Sequence, residues 1–145
     1  LASHSMEEQR VQRIDVGIDG SREAAAALMT AAHLARSLDA RLRLVAVAEL
    51  RFDLAGHPRP SDPAELDRLG RHLAHAVDDL AGLAVETELR EGLPDQIIQG
   101  LARESDLVIL GSRTTYGESG RTSLGSIATK VMRGAPCPVL VAPAP

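Results

Sequence analysis

Apolar residues alternate with two different periods along this chain. Ile14, Val16 and Ile18 occupy every second position of residues 13–18, which predicts a first strand. Asp19-Gly20-Ser21 ends it, and Ser21 is suited to cap a helix running to Leu38. Ala24, Leu28, Ala31, Ala35 and Leu38 give that helix an inward stripe. Residues 42–48 (LRLVAVA) predict a second strand. Residues 51–62 hold Gly56, Pro58 and Pro60 and read as a loop. Asp62-Pro63-Ala64-Glu65 then starts a helix, with Asp as N-cap, Pro at the first helical position and Glu placed for a capping box. Leu66, Leu69, Leu73, Val77 and Leu80 form its apolar stripe, and Gly82 suits its C-terminal cap. Val85, Thr87 and Leu89 alternate with Glu86, Glu88 and Arg90, the pattern of a half-exposed edge strand. Pro94 opens a third helix with Ile97, Ile98, Leu101 and Ala102 inward. Residues 107–110 are apolar at every position, which predicts a strand buried on both faces. Ser126 begins a short helix stopped by Gly134, and residues 138–142 form the last strand.

Strands alternating with helices predict a mainly parallel sheet in the α/β class. The expected architecture is a three-layer, Rossmann-like sandwich: a five-stranded sheet in the order 3-2-1-4-5, with helices on both faces. The most hydrophobic strands, the first and fourth, take the centre and the third takes an edge. In that order the chain leaves strands 1 and 4 in opposite directions, opening a crevice at their C-terminal ends. Residues 13–145 form one domain in this reading. Residues 1–5 read as an expression scar before Met6, and the stretch to residue 12 as a frayed terminus.

The segment from Asp106 to Ile127 concentrates the candidate chemistry. A buried strand stops at Gly111, a polar loop with glycines at 111, 117, 120 and 125 follows, and a helix starts at Ser126. Such a helix start presents free backbone N–H groups and the positive end of its dipole to an anion. Two common phosphate motifs are absent. The turn after strand 1 lacks G-x-G-x-x-G, and Gly120-Arg121-Thr122-Ser123-Leu124-Gly125 is followed by Ser126 where a P-loop needs Lys.

Composition narrows the ligand. With one Phe, one Tyr, no Trp and a net charge of −4, neither base stacking on aromatics nor broad nucleic-acid binding is expected. No apolar run reaches the length of a membrane span. The lone Cys137 forms no internal disulfide, fits a cytoplasmic setting and reads as a buried, inert thiol. His72 and His75 share a helix face without completing a metal site, and read as solvated. Ser112 and Ser126 lack a His partner for nucleophilic catalysis. Asp15, an acid inside a central strand, must reach the strand end or pair with an Arg.

Three stretches resemble the universal stress protein family. Val16-Gly17-Ile18-Asp19-Gly20-Ser21 is similar to its first strand and turn. Arg90-Glu91-Gly92-Leu93-Pro94, with Ile97-Ile98 and the run from Asp106 to Arg113, is similar to its third helix and fourth strand. Leu124-Gly125-Ser126 and the run from Ala135 to Val141 are similar to its closing helix and strand. The resemblance implies a sensor or regulator that binds ATP, with magnesium, or a related adenine nucleotide, with at most weak hydrolysis. It also implies a homodimer joined through the C-terminal strand. Asp19 would sit near ribose or adenine, and Ile18, Val47 and Leu110 around the base. Gly111, Arg113, Thr114, Gly125, Ser126 and Ile127 would serve the phosphates and ribose. Nucleotide-binding members carry G-x2-G-x9-G-[ST]; here the second Gly position falls at Thr114 or Thr115, and one extra residue separates Gly111 from Gly125. The competing readings are a nucleotide-free dimerisation and interaction module of the same fold, and an enzyme for a small phosphorylated substrate.

Overall fold

The computed structural model describes residues 10–112, 115–116, 122–123 and 125–143. Five strands form the central sheet: β1 (Arg13–Gly17), β2 (Arg41–Glu49), β3 (Val85–Gly92), β4 (Leu107–Gly111) and β5 (Val139–Ala142). Their spatial order is β3-β2-β1-β4-β5, every neighbouring pair is parallel, and β3 lies at an edge, as the hydrophobic pattern predicts. Helices α1 (Arg22–Leu38), α2 (Pro63–Asp78), α3 (Pro94–Leu101) and α4 (Ser126–Gly134) cover it. Residues expected as plain loop also pair. Arg51–Phe52 pairs antiparallel with Pro58–Arg59, and Thr115–Tyr116 with Thr122–Ser123.

Each sheet face has its own core. On one, Ile14, Val16, Leu42 and Leu44 pack against the alanines of α1 and against Leu69 and Leu73 of α2. On the other, Val45, Val108 and Leu110 pack against Ile98 of α3 and against Ala128 and Val131 of α4. Burial of this apolar surface is the main favourable contribution to folding.

Local corrections follow helical geometry. Leu38, expected inward, is 40% exposed, and the inward stripe of α1 consists of Ala24, Ala27, Ala31, Ala32 and Ala35. Val77 is 38% exposed, because Ala76 completes the stripe with Leu69, Leu73 and Leu80, and Val77 lies one residue further round the helix. Gly82 does not cap α2, which ends at Asp78 with Asp79 as cap. Asp62 does cap it, accepting from the Ala64 N–H at 2.9 Å. Glu65 does not turn back to close a capping box. Its carboxylate takes the Arg68 guanidinium at 2.7 and 3.0 Å, and that bond holds its pKa below the ordinary value.

Asp15 resolves into the buried partner of Arg43. The two residues are register partners on β1 and β2, with exposures of 1% and 3%. Arg43 donates from Nε to Asp15 Oδ1 at 2.9 Å and from a terminal nitrogen to Oδ2 at 3.1 Å. It also donates to Glu104 (2.9 Å), to the Leu101 carbonyl (2.6 Å) and to Ser105 Oγ (3.2 Å). Burial opposes the Arg43 charge, but the bonds to Asp15 and Glu104 outweigh it and raise its pKa. This network ties the end of α3 and the 3-10 turn Ala102–Glu104 to the sheet. Cys137 is half-buried, and burial first, then the fields of Asp15 and Asp106, raise the pKa of its thiol. A raised pKa lowers the fraction of reactive thiolate.

Removing one partner of such a pair strands a buried charge. Arg43→Met is expected to lower unfolding free energy by about 3–5 kcal/mol in urea titrations, and the double change Asp15→Leu with Arg43→Met to recover most of that loss. An Arg43→Met protein as stable as the parent would contradict the assignment.

Candidate functional site

The chain leaves β1 toward β2 and leaves β4 toward β5, so the connections diverge between the two central strands. A crevice of about 1040 Å³ opens there, at the C-terminal ends. It is large enough for a drug-sized or cofactor-sized ligand. Ile18, Asp19, Val47, Leu110, Gly111, Gly125, Ser126 and Ile127 all line it. These residues come from four separate segments, yet the fold brings them to one place. Arg113 and Thr114 lie outside the described residues.

The crevice depends on close backbone approaches. A Cβ on Gly111 would collide with the Glu23 backbone and come within 2.8 Å of the Ala24 amide nitrogen. The first turn of α1 therefore lies directly on the end of β4. Gly20 takes φ +83°, and a Cβ there would collide with the His72 ring. His72 is thus half-buried against the β1 turn and is not part of a fully solvated face, while His75 is exposed. Between Gly20 and its neighbours the turn is tied by side chains. Asp19 Oδ1 accepts from the Ser21 N–H at 2.9 Å, and Ser21 Oγ accepts from the Ala24 N–H at 3.1 Å. Asp19 therefore orders the turn and lines the crevice at once.

Across the crevice, Gly125 is the N-cap of α4 and has no side chain to satisfy the first-turn N–H groups. Those donors and the helix dipole suit an anion. Leu110 on β4, Ile127 on α4 and Val47 on β2, two strands from β4, supply an apolar surface for a flat ring.

The crevice also gathers residues that the sequence reading missed: Glu23, Glu49, Arg51, Arg59, Ser61 and Arg68. All but Arg68, which lies further along α2, follow the C-terminal end of β1 or β2 closely or close β2 itself. The signal that could have found them is topological: in a parallel sheet every loop leaving the C-terminal edge faces the same side. Among the described residues no cluster of three His, Cys, Asp or Glu side chains could hold a metal ion, and no helix is long and apolar enough to cross a membrane.

A model of the universal stress protein family matches residues 10–143. A universal stress protein of Mycobacterium tuberculosis is 32% identical over 139 residues, covering 92% of this chain and 49% of that protein. The chain thus spans about half the length of that relative. A solved structure of a universal stress protein family member from Burkholderia pseudomallei superposes with a TM-score of 0.72 at 31% identity, covering 93% of this chain and 98% of that one. The universal stress protein of Archaeoglobus fulgidus in complex with dAMP shares the fold, with a TM-score of 0.67 at 21% identity, covering 92% of this chain and 98% of that one.

Gly111 is expected to be structural as well as adjacent to ligand. Gly111→Ala forces its new methyl into backbone that cannot rotate away, and should cost roughly 1–3 kcal/mol of stability. Gly70, inside α2, is the contrast: a Cβ there would meet no atom within 4 Å. Gly70→Ala should therefore stabilise by up to about 1 kcal/mol. Thermal melts of the two variants check the contrast, and equal behaviour would refute it.

Proposed function

The chain belongs to the universal stress protein family, and from that premise we propose that it binds ATP or a related adenine nucleotide in the β1/β4 crevice and acts as a stress sensor or regulator. The observation that carries this reading is the convergence of Ile18, Asp19, Val47, Leu110, Gly111 and Gly125–Ile127 on one crevice that has a helix N-terminus at one wall. The adenine ring lies against Val47, Leu110 and Ile18, and Asp19 accepts hydrogen bonds from ribose hydroxyls. The phosphates meet the first N–H groups of α4, with Arg113 and Thr114 contributing from the loop before it. Magnesium would come with the phosphates, since among the described residues no three His, Cys, Asp or Glu side chains cluster to hold it. The dAMP complex of the Archaeoglobus fulgidus protein supports adenine nucleotides as the ligand class.

In this reading binding is the function, and any hydrolysis is slow and incidental. Residues 13–145 then make up one domain, which in this reading works in the cytoplasm as a homodimer. Strand β5 ends the sheet with Val139, Leu140 and Val141 only partly buried, which supports pairing with the same strand of a second copy. A nucleotide-free interaction module is the second reading. Glu23 and Glu49, which place carboxylates on the crevice wall, favour it.

Calorimetry separates the two. ATP and AMP are each titrated into the parent and into Gly125→Val, with light scattering on the same sample. The expected result is micromolar binding to the parent, at least a tenfold loss in Gly125→Val, and a mass twice the 15.4 kDa of the chain. Absence of heat and of a thermal shift at millimolar nucleotide would leave the interaction module standing, and a monomer would remove the dimer from both readings.

A further inference from the structure

The part of the crevice that follows β2 has features the nucleotide reading leaves unexplained. Arg51 and Arg59 are direct register partners on the short antiparallel ribbon. Directly opposed residues on such a ribbon share a face, and like charges placed so are destabilising. Both arginines line the crevice. Among the described residues neither has an ion-pair partner. The ribbon that holds them is nevertheless firmly built. Asp53 Oδ1 accepts from the Ala55 and His57 N–H groups, both at 2.9 Å, and the Asp53 N–H donates to the His57 carbonyl at 2.9 Å. Two residues beyond Arg59, Ser61 lines the same crevice, and its Oγ is buried with no hydrogen-bond partner among the described residues. A buried hydroxyl without a partner is uncommon and calls for a ligand or another explanation.

Nearby acids do not neutralise this corner. Asp62 is engaged as the cap of α2, and Glu65 is paired with Arg68, although its field also reaches Arg51. Glu49 closes β2 and is exposed.

We propose that Arg51, Arg59 and Ser61 form a second anion subsite, which takes a phosphoryl group carried on the ribose of an adenine nucleotide whose 5′-phosphate sits at α4. This inference rests on the nucleotide reading above and extends it to the ligand class. Its geometric basis is the strand order. The subsite follows β2 and the α4 N-terminus follows β4, with β1 between them. Two strand spacings separate those edges by about 10 Å. That span exceeds the distance between adjacent phosphates of a di- or triphosphate, so the second phosphoryl group belongs across the ribose ring from the 5′-phosphate. The ribose 2′ and 3′ oxygens offer that position. Two guanidiniums and one hydroxyl donor match the acceptor oxygens of a phosphate.

The test compares AMP with adenosine 2′,5′-bisphosphate and adenosine 3′,5′-bisphosphate by calorimetry, on the parent chain, on the double variant Arg51→Gln/Arg59→Gln and on Ser61→Ala. The expected result is that one bisphosphate binds the parent at least tenfold tighter than AMP, and the preferred isomer identifies the ribose oxygen. In the double variant that advantage falls below threefold, whereas AMP affinity changes less than threefold; in Ser61→Ala it falls partway. If AMP binds and neither bisphosphate gains, the subsite is overturned and the nucleotide reading survives. If the advantage persists in both variants, the residues are wrongly assigned and the proposal fails. If neither AMP nor a bisphosphate binds the parent, both readings fall together. Circular dichroism melts of the variants confirm that each comparison is made on folded protein.

Discussion

The contact between Gly111 and the first turn of α1 sets the shape of the site. A hydrogen in place of a Cβ lets the Glu23–Ala24 backbone rest on the end of β4. That approach closes the gap between the turn after β1 and the end of β4, and the crevice begins where it stops. Gly17 continues the same constraint within the sheet: a Cβ there would stand 3.0 Å from Leu110 Cδ2, inside the apolar wall. Glycines that would be read as a flexible phosphate loop therefore also serve tight packing. The two roles are compatible, because a backbone free of side chains can be approached from a helix on one side and a ligand on the other.

The opposite end of the sheet is held differently. Arg43 and Asp15 form a buried ion pair below the crevice, on the face shared with α3 and α4. Such a pair gains little net stability over apolar packing, since desolvation offsets attraction. Its geometric effect is clearer. One guanidinium reaches two strands, the last turn of α3 and the 3-10 turn, so it fixes the register between layers. Asp106 adds a smaller version of the same device. Its Oδ2 accepts from the Gln12 and Arg13 N–H groups at 2.8 and 3.1 Å, tying the start of β1 to β4. The N-terminal ends of the strands are thus cross-linked by charge, while the C-terminal ends are left open for a ligand.

Parts of the sheet order were legible: residues 107–110 are apolar at every position, which requires burial on both faces and a central place, and the charges alternating along 85–90 mark an edge. The helix starts were legible at Ser21 and Asp62, whose side chains do cap. Inward stripes were less so, since Leu38 and Val77 look better buried than the alanines that replace them, and bulk near a helix end says little about direction. The partner of Asp15 was invisible because parallel-strand register depends on the whole crossover and not on local pattern. In the crevice, residues next to recognisable turns could be named from the sequence. Arg51, Arg59 and Ser61 could not, because a stretch with one Gly and two Pro reads only as loop until its ribbon pairing is known.

Together these features describe a sheet whose cross-linked lower half supports an open upper crevice, the place proposed above for an adenine nucleotide. The most direct test of that claim is residue-resolved. An isotope-labelled sample titrated with ATP and followed by amide NMR should show the amides of Ile18, Asp19, Gly111, Ser126 and Ile127 shifting together along one saturating curve. Shifts that saturate elsewhere, along β5 or the outer face of α2, with those amides unmoved, would contradict it.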